Sequence, residues 1–164
     1  MIQLNIARLN LISPYYIEEE NGILSFETDF GIVYHIDFDE DNVSIQYPTY
    51  AFGIYRRTNK PSPNDPKLRQ TVIAIIDEFF TSNKEVMLYI CETGDDMQEF
   101  RFRLFLRWFN TYERRSEFTI RTLEGIMDGN TPNYGAIIVE NDHPDYDLIM
   151  RRFDETEAFL KKPK

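Results

Sequence analysis

The chain of 164 residues carries 18 Lys and Arg against 28 Asp and Glu, a formal charge of −10, with 13 Phe, 10 Tyr, 1 Trp and a single cysteine. The aromatic content excludes a disordered chain, which lacks the apolar surface to form a core, and one cysteine excludes a disulfide scaffold. The acidic balance disfavours nucleic acid as a partner, because phosphate neutralisation needs an excess of Lys and Arg.

The length suits one domain. It is expected over residues 15–160, with 1–14 as an N-terminal extension that can add a further strand. No apolar run approaches the roughly 18 residues of a membrane span. The N-terminus lacks the basic start and apolar stretch of an export signal. No membrane partner is expected, and the cytoplasm is the expected compartment.

From Tyr15 onward the chain alternates. Asn21-Gly22 is a hairpin signal; Leu24, Phe26 and Thr28 then share one face. A turn at Asp29-Phe30-Gly31 is followed by Ile32, Tyr34, Ile36 and Phe38 on one face, with Val33, His35 and Asp37 on the other. This period of two predicts half-buried strands. Val43–Tyr47 and Tyr50–Arg56 read as further strands of the same antiparallel meander. Thr58–Pro66 is a loop rich in proline. Asp65-Pro66 opens a helix, with Asp as cap and Pro at the first helical position. Leu68, Val72, Ile75, Ile76 and Phe79 recur at helical spacing up to about Asn83. Val86–Cys91 is apolar throughout, as in a central strand covered on both faces.

An acidic turn, Glu92–Asp96, leads into a second helix from about Met97 to Arg114. Phe118–Thr122 and Ala136–Glu140 read as strands with a loop over Gly125–Gly135. Asp142–Asp145 opens a last helix, in which Tyr146, Ile149, Met150, Phe153 and Leu160 form the inward stripe. The expected product is α+β: a twisted, mainly antiparallel sheet with about three helices, mostly on one face, in the order βββββαβαββα.

Motifs for chemistry are sparse. There is no Gly-rich phosphate loop, no Cys or His cluster with metal-ligand spacing and no Gly-x-Ser-x-Gly elbow, so neither a metal nor a cofactor is expected and no catalytic residue is assigned. His35 reads as an outer-face strand residue and His143 as part of a helix start. Cys91 reads as a small buried hydrophobe, with nearby carboxylates holding its thiol protonated.

The second helix is the informative element. At about 100° per residue, Met97, Phe100 and Trp108 fall close to Leu104, and Phe105, Phe109, Phe102 and Leu106 widen the apolar arc to about 200°. Arg103, Arg107, Asn110 and Arg114 form a polar stripe, which Arg115 continues. It is a local basic patch in an acidic protein: Arg103, Arg107, Arg114 and Arg115 form either a solvated face that balances nearby carboxylates or an interaction surface for an acidic partner or nucleic acid. Arg101 and Gln98 fall inside the apolar arc. A charge facing a core must be paired. Arg101 therefore either pairs with Glu92, Asp95 or Asp96, or stands with Gln98 in a cleft at the strand end. Asp95 and Asp96 also suit the helix's own cap and dipole.

Several stretches together resemble a known family. They are Asp65-Pro66, Thr71–Phe80, Leu88–Asp96 and Arg101–Phe109, with Phe26–Tyr34 upstream and Val139–Pro144 downstream. The family is the bacterial domain of unknown function 6169. The resemblance covers about residues 15–160 and is most specific from Leu88 to Phe109. Where the family's turn often runs Asp-Ser-x-Asp-Gly, this chain has Glu92-Thr93-Gly94-Asp95-Asp96. The resemblance implies a bacterial protein and brings no catalytic residues with it.

Two functional readings follow. One is a non-enzymatic protein-interaction or regulatory domain, with a protein partner and an oligomeric state the sequence does not specify. The other is an enzyme, or a binder of an anionic ligand or metal, using Glu92, Asp95, Asp96, Gln98 and Arg101 at the strand end. There the carboxylates would supply acid/base or Mg²⁺/Ca²⁺-binding oxygens, and Arg101 would hold an anion.

Overall fold

The computed structural model describes residues 2–91 and 95–162. Among these residues the chain forms α1 (Ile6–Ile12), β1 (Glu18–Glu20), β2 (Ile23–Glu27), β3 (Val33–Asp41), β4 (Thr49–Arg56), α2 (Pro66–Ser82) and β5 (Met87–Ile90). It continues with α3 (Gln98–Asn110), a 3₁₀ turn (Arg115–Glu117), β6 (Phe118–Asp128), β7 (Thr131–Glu140) and α4 (Tyr146–Leu160). The fold is α+β, with a mostly antiparallel seven-stranded sheet in the order β1-β2-β3-β4-β5-β7-β6. The expected order holds from α2 onward. The chain groups into two compact units: one runs to Phe38 and resumes over Phe52–Lys84, and the other comprises Asp39–Ala51 and Glu85 onward.

In the first unit, Asn21 and Gly22 both take positive φ (54° and 81°), as a two-residue hairpin turn requires, and Glu20 pairs with Ile23 across it. Leu24 and Phe26 pair with Ile36 and Tyr34, so their side chains share the buried face. Tyr15, Phe26 and Tyr34 stack in a row, with centroids 6.1 and 5.5 Å apart. The α2 helix begins as expected: Asp65 accepts from the amides of Lys67 and Leu68, and Pro66 is the first helical residue. Its Val72, Ile75, Ile76 and Phe79 are buried. Phe79 stacks on Phe38 at 4.8 Å.

The N-terminal segment is helical rather than a further strand. Asn5 caps α1 by accepting from the Arg8 amide, and Leu9 is buried. Arg8 reaches the buried Glu78 of α2 with two nitrogens, Nε to Oε1 at 2.9 Å and Nη2 to Oε2 at 3.0 Å. The Asn5 amide adds a third hydrogen bond to the same carboxylate. A buried carboxylate needs such partners, and this one fixes where α1 lies on α2.

In the second unit, registers decide which helix meets which face. Tyr89 pairs with Ala136 and Ala136 with Thr122, so these point one way; Leu88 pairs with Ile137 and Ile137 with Arg121, and they point the other. The first face receives α3: Phe105 stacks on Tyr89 at 3.9 Å, Phe102 meets Tyr134 at 5.6 Å and Phe109 meets Phe118 at 5.9 Å. The second receives α4, whose Ile149 and Phe153 pack in one core with Leu88, Ile137 and Val139. Helices therefore cover both faces of β5-β7-β6, which corrects the expectation that they lie mostly on one face. It also explains why Val86–Leu88 and Ile137–Val139 are apolar without alternation.

Two further expectations are corrected. Val43–Tyr47 is not a strand. The Asp41 carboxylate accepts from the Val43 and Ser44 amides (3.1 and 2.9 Å) and from the Ser44 hydroxyl (2.6 Å). This local alternative to ladder bonding closes a turn, and only Ile45 enters the core. Gly125–Gly135 is not a loop but the middle of a long β6–β7 hairpin, with a register shift between Glu124 and Ile126 and positive φ at Gly125 and Gly129. Gly129-Asn130, with Gly at the first position of a two-residue hairpin loop, is its sequence signal.

Candidate functional site: the outward face of the α3 helix

The turn before α3 brings together some of the residues singled out from the sequence. Glu92 lies outside the described residues. Asp95 and Arg101 form a two-pronged ion pair, Nη1 to Oδ2 at 2.6 Å and Nη2 to Oδ1 at 3.0 Å. Asp95 also accepts from the Met97 amide at 3.0 Å, so it anchors the start of α3. The Arg101 guanidinium, helped by that amide, holds the Asp95 carboxyl down at about 2. Asp96 is exposed and takes a left-handed backbone, φ 58°. Gln98 is only 3% exposed. Its amide donates to the Pro132 carbonyl at 3.1 Å, while its own carbonyl oxygen is buried without a hydrogen-bond partner. Gln98 is thus a residue of the α3–sheet interface.

Cys91 is buried at the end of β5, with its amide bonded to the Tyr134 carbonyl. Burial pushes its thiol up, against the downward pull of Tyr89 and Arg101. Desolvation is the largest cause that holds the thiol protonated. His143 is buried, and its Nδ1 accepts from the Asp145 amide at 2.9 Å, the local helix-start role expected of it. Among the described residues, no group of three or more His, Cys, Asp or Glu side chains could hold a metal ion. No helix among them is long and apolar enough to cross a membrane.

The arginines of the polar stripe have different environments. Arg103 bridges to Glu124 at 2.7 Å and to Glu99 at 3.7 Å. Arg114 pairs with Glu117 at 3.0 Å and lies over Phe118. Arg115 donates to Asn110 and to the Phe118 carbonyl and lies over Phe109. Arg103, Arg114 and Arg115 thus tie α3 and the 3₁₀ turn to β6 and to one another. Arg107 stands exposed on α3.

What the sequence pattern missed is the direction of the apolar arc. The buried residues of α3 are Gln98, Phe102, Phe105 and Phe109, at spacings of 4, 3 and 4, which is one helical face. Met97 and Phe100, which periodicity places beside Leu104 at one side of the arc, are 46% and 55% exposed. Leu104 and Trp108 continue their row at the next turns, half-buried. The signal was the width of the arc. A helix lying on a sheet covers a stripe of little more than about 100°, so an arc twice as wide leaves half its apolar residues to face something else. Arg107 and Arg101 flank this outer row on its two sides.

No curated protein and no solved structure matches the chain. Residues 64–155, from the cap of α2 into α4, match the family model described as a family of unknown function, DUF6169; the chain belongs to that family.

Proposed function

We propose that this protein is a non-enzymatic interaction module. It docks the outer row of α3, Met97, Phe100, Leu104 and Trp108, into an apolar groove on a protein partner with an acidic rim. The observation that carries this reading is the exposure of Met97 and Phe100 on a helix whose opposite face is completely buried. Aromatic residues, Met and Arg are the types enriched at the centres of protein interfaces. An amphipathic helix presenting them at turn-by-turn spacing is a recurring recognition element. Arg107, exposed at one edge of the row, favours carboxylates on the partner, whereas Arg101 at the other edge is held by Asp95.

The test compares partner recovery by the unaltered protein and by a Met97→Glu/Phe100→Glu variant, with each captured partner then purified and titrated against both. The variant keeps its thermal midpoint and loses the interaction, and Arg107→Glu weakens it most at low salt. A purified partner that binds the double variant as tightly as the unaltered protein overturns the reading.

A further inference from the structure

We infer that the second unit carries a binding cavity for a small molecule with an uncharged aliphatic body, on the sheet face opposite α3 and beneath the C-terminal half of α4. This inference does not rest on the α3 reading. The cavity encloses about 440 Å³, within the range of small-molecule sites. Its wall includes Leu88 and Ile90 of β5, Leu123 and Ile126 of β6, Gly135 of β7 and Phe153 of α4.

The hollow has an identifiable cause. Gly135 of β7 pairs with Ile90 on one side and Leu123 on the other. Its missing side chain leaves a gap in the row of side chains that face α4. The bulge at Gly125 then adds a second apolar residue to this face. The shift in register pairs Ile126 with Asn133, which shares the face of Gly135 and Ile137. Further along β7, Ile149 and Phe153 fill the same layer against Ile137 and Val139; one turn later α4 offers Thr156, a shorter side chain. Ile90 and Leu160 stand at the mouth, 52% and 43% exposed, so an apolar ligand would remove lips as well as walls from water.

The polar groups of the lining define the ligand's chemistry. Thr156 Oγ1 donates to the Arg152 carbonyl, Asn133 Nδ2 to the Ile126 and Thr131 carbonyls, and the Ser44 hydroxyl to Asp41. These donors are engaged within the fold. Among the described residues of the lining Asp128 is the one charged residue, and no Lys, Arg or His joins it. An anionic head group would meet a carboxylate with no cation to offset it. The site therefore fits an aliphatic alcohol or similar neutral molecule and rejects a fatty acid of the same chain length.

The experiment titrates the methyl-labelled protein with 1-octanol and, separately, with octanoate. Octanol binds saturably at one site and gives intermolecular NOEs to the methyls of Ile90, Leu123 and Ile126, while octanoate binds at least about tenfold more weakly. Leu123→Trp and Thr156→Trp fill the cavity from different elements, and each abolishes octanol binding while circular dichroism reports an unchanged fold. The inference is overturned by absence of saturable octanol binding, by NOEs confined to other methyls, by octanoate binding as tightly, or by folded Trp variants that bind as before. The NOEs and the octanoate comparison need only the unaltered protein, so they decide the matter even if neither variant folds.

Discussion

Phe105 lies flat on Tyr89, ring centroids 3.9 Å apart and planes within 20°. This stack fixes the rotation of α3 on the sheet. With Phe105 down, Phe102 and Phe109 follow it into the core, and Phe100, about 140° away around the helix, must face outward. The two phenylalanines are alike in sequence context and opposite in role, so truncating each separates packing from surface. Phe105→Ala should cost about 3–5 kcal/mol, the usual range for emptying a buried aromatic site. Phe100→Ala should stay within about 0.5 kcal/mol. Urea denaturation of the two variants measures both, and equal costs would contradict the orientation of α3.

The Asp95–Arg101 pair predicts a titration. In the folded protein Asp95 ionises near 2, below the roughly 3.9 of an unfolded chain. A depressed carboxyl contributes stability that is present above about pH 3.9 and disappears as pH falls through the folded value. Both groups are partly exposed, so that contribution is small. Arg101→Gln should raise the Asp95 midpoint towards about 3.9, readable from the carboxyl ¹³C shift. A midpoint unmoved by the substitution would show that the Met97 amide, not the guanidinium, sets it.

Glu78 predicts the fate of α1. Its carboxylate is buried and bonded to Arg8, the Asn5 amide and Ser82. Arg8→Ala should destabilise by about 2 kcal/mol, the cost of losing charge-assisted hydrogen bonds to a buried group. It should also raise hydrogen exchange across residues 6–12 well before global unfolding. Exchange in α1 that matches the unaltered protein would mean that Leu9 alone holds the helix.

Tyr15 predicts behaviour in alkali. Its hydroxyl donates to Asp65 at 2.8 Å and accepts from the Asp29 amide at 3.2 Å. Burial first, then the neighbouring carboxylates, push its ionisation up to about 12. The unfolded chain ionises near 10, so the contribution is intact below pH 10 and is lost as pH rises towards 12. The loss is on the order of 2 kcal/mol. Tyr47, half-buried and donating to Asp145, is pushed to the same range and acts in the same direction. Denaturation midpoints from pH 8 to 12 should fall across this window, and Tyr15→Phe should flatten the fall. A profile as steep in the variant would place the titration elsewhere.

Legibility in the sequence followed locality. The Asn21-Gly22 turn and the Asp65-Pro66 helix start were readable because one or two residues determine the backbone there. Val43–Tyr47 was misread because its apolar pattern suits a strand, while the turn is made by the Asp41 side chain. The direction of α3 was not readable. Its apolar arc exceeds what one sheet face can cover, and the choice of half was made by distant partners, Tyr89, Phe118 and Tyr134. The cavity was invisible for a related reason: it depends on Gly135 lying between Ile90 and Leu123, a juxtaposition that only the register creates.

The most direct test of the α3 interaction surface is site-specific photo-cross-linking in cells that make the protein. A benzoylphenylalanine at position 100 should give a discrete protein adduct that disappears when Met97→Glu is added. The same label at Tyr16, which is more open to solvent than Phe100, should not form that adduct. Absence of any discrete adduct from position 100, or the same adduct from both positions, would contradict the account.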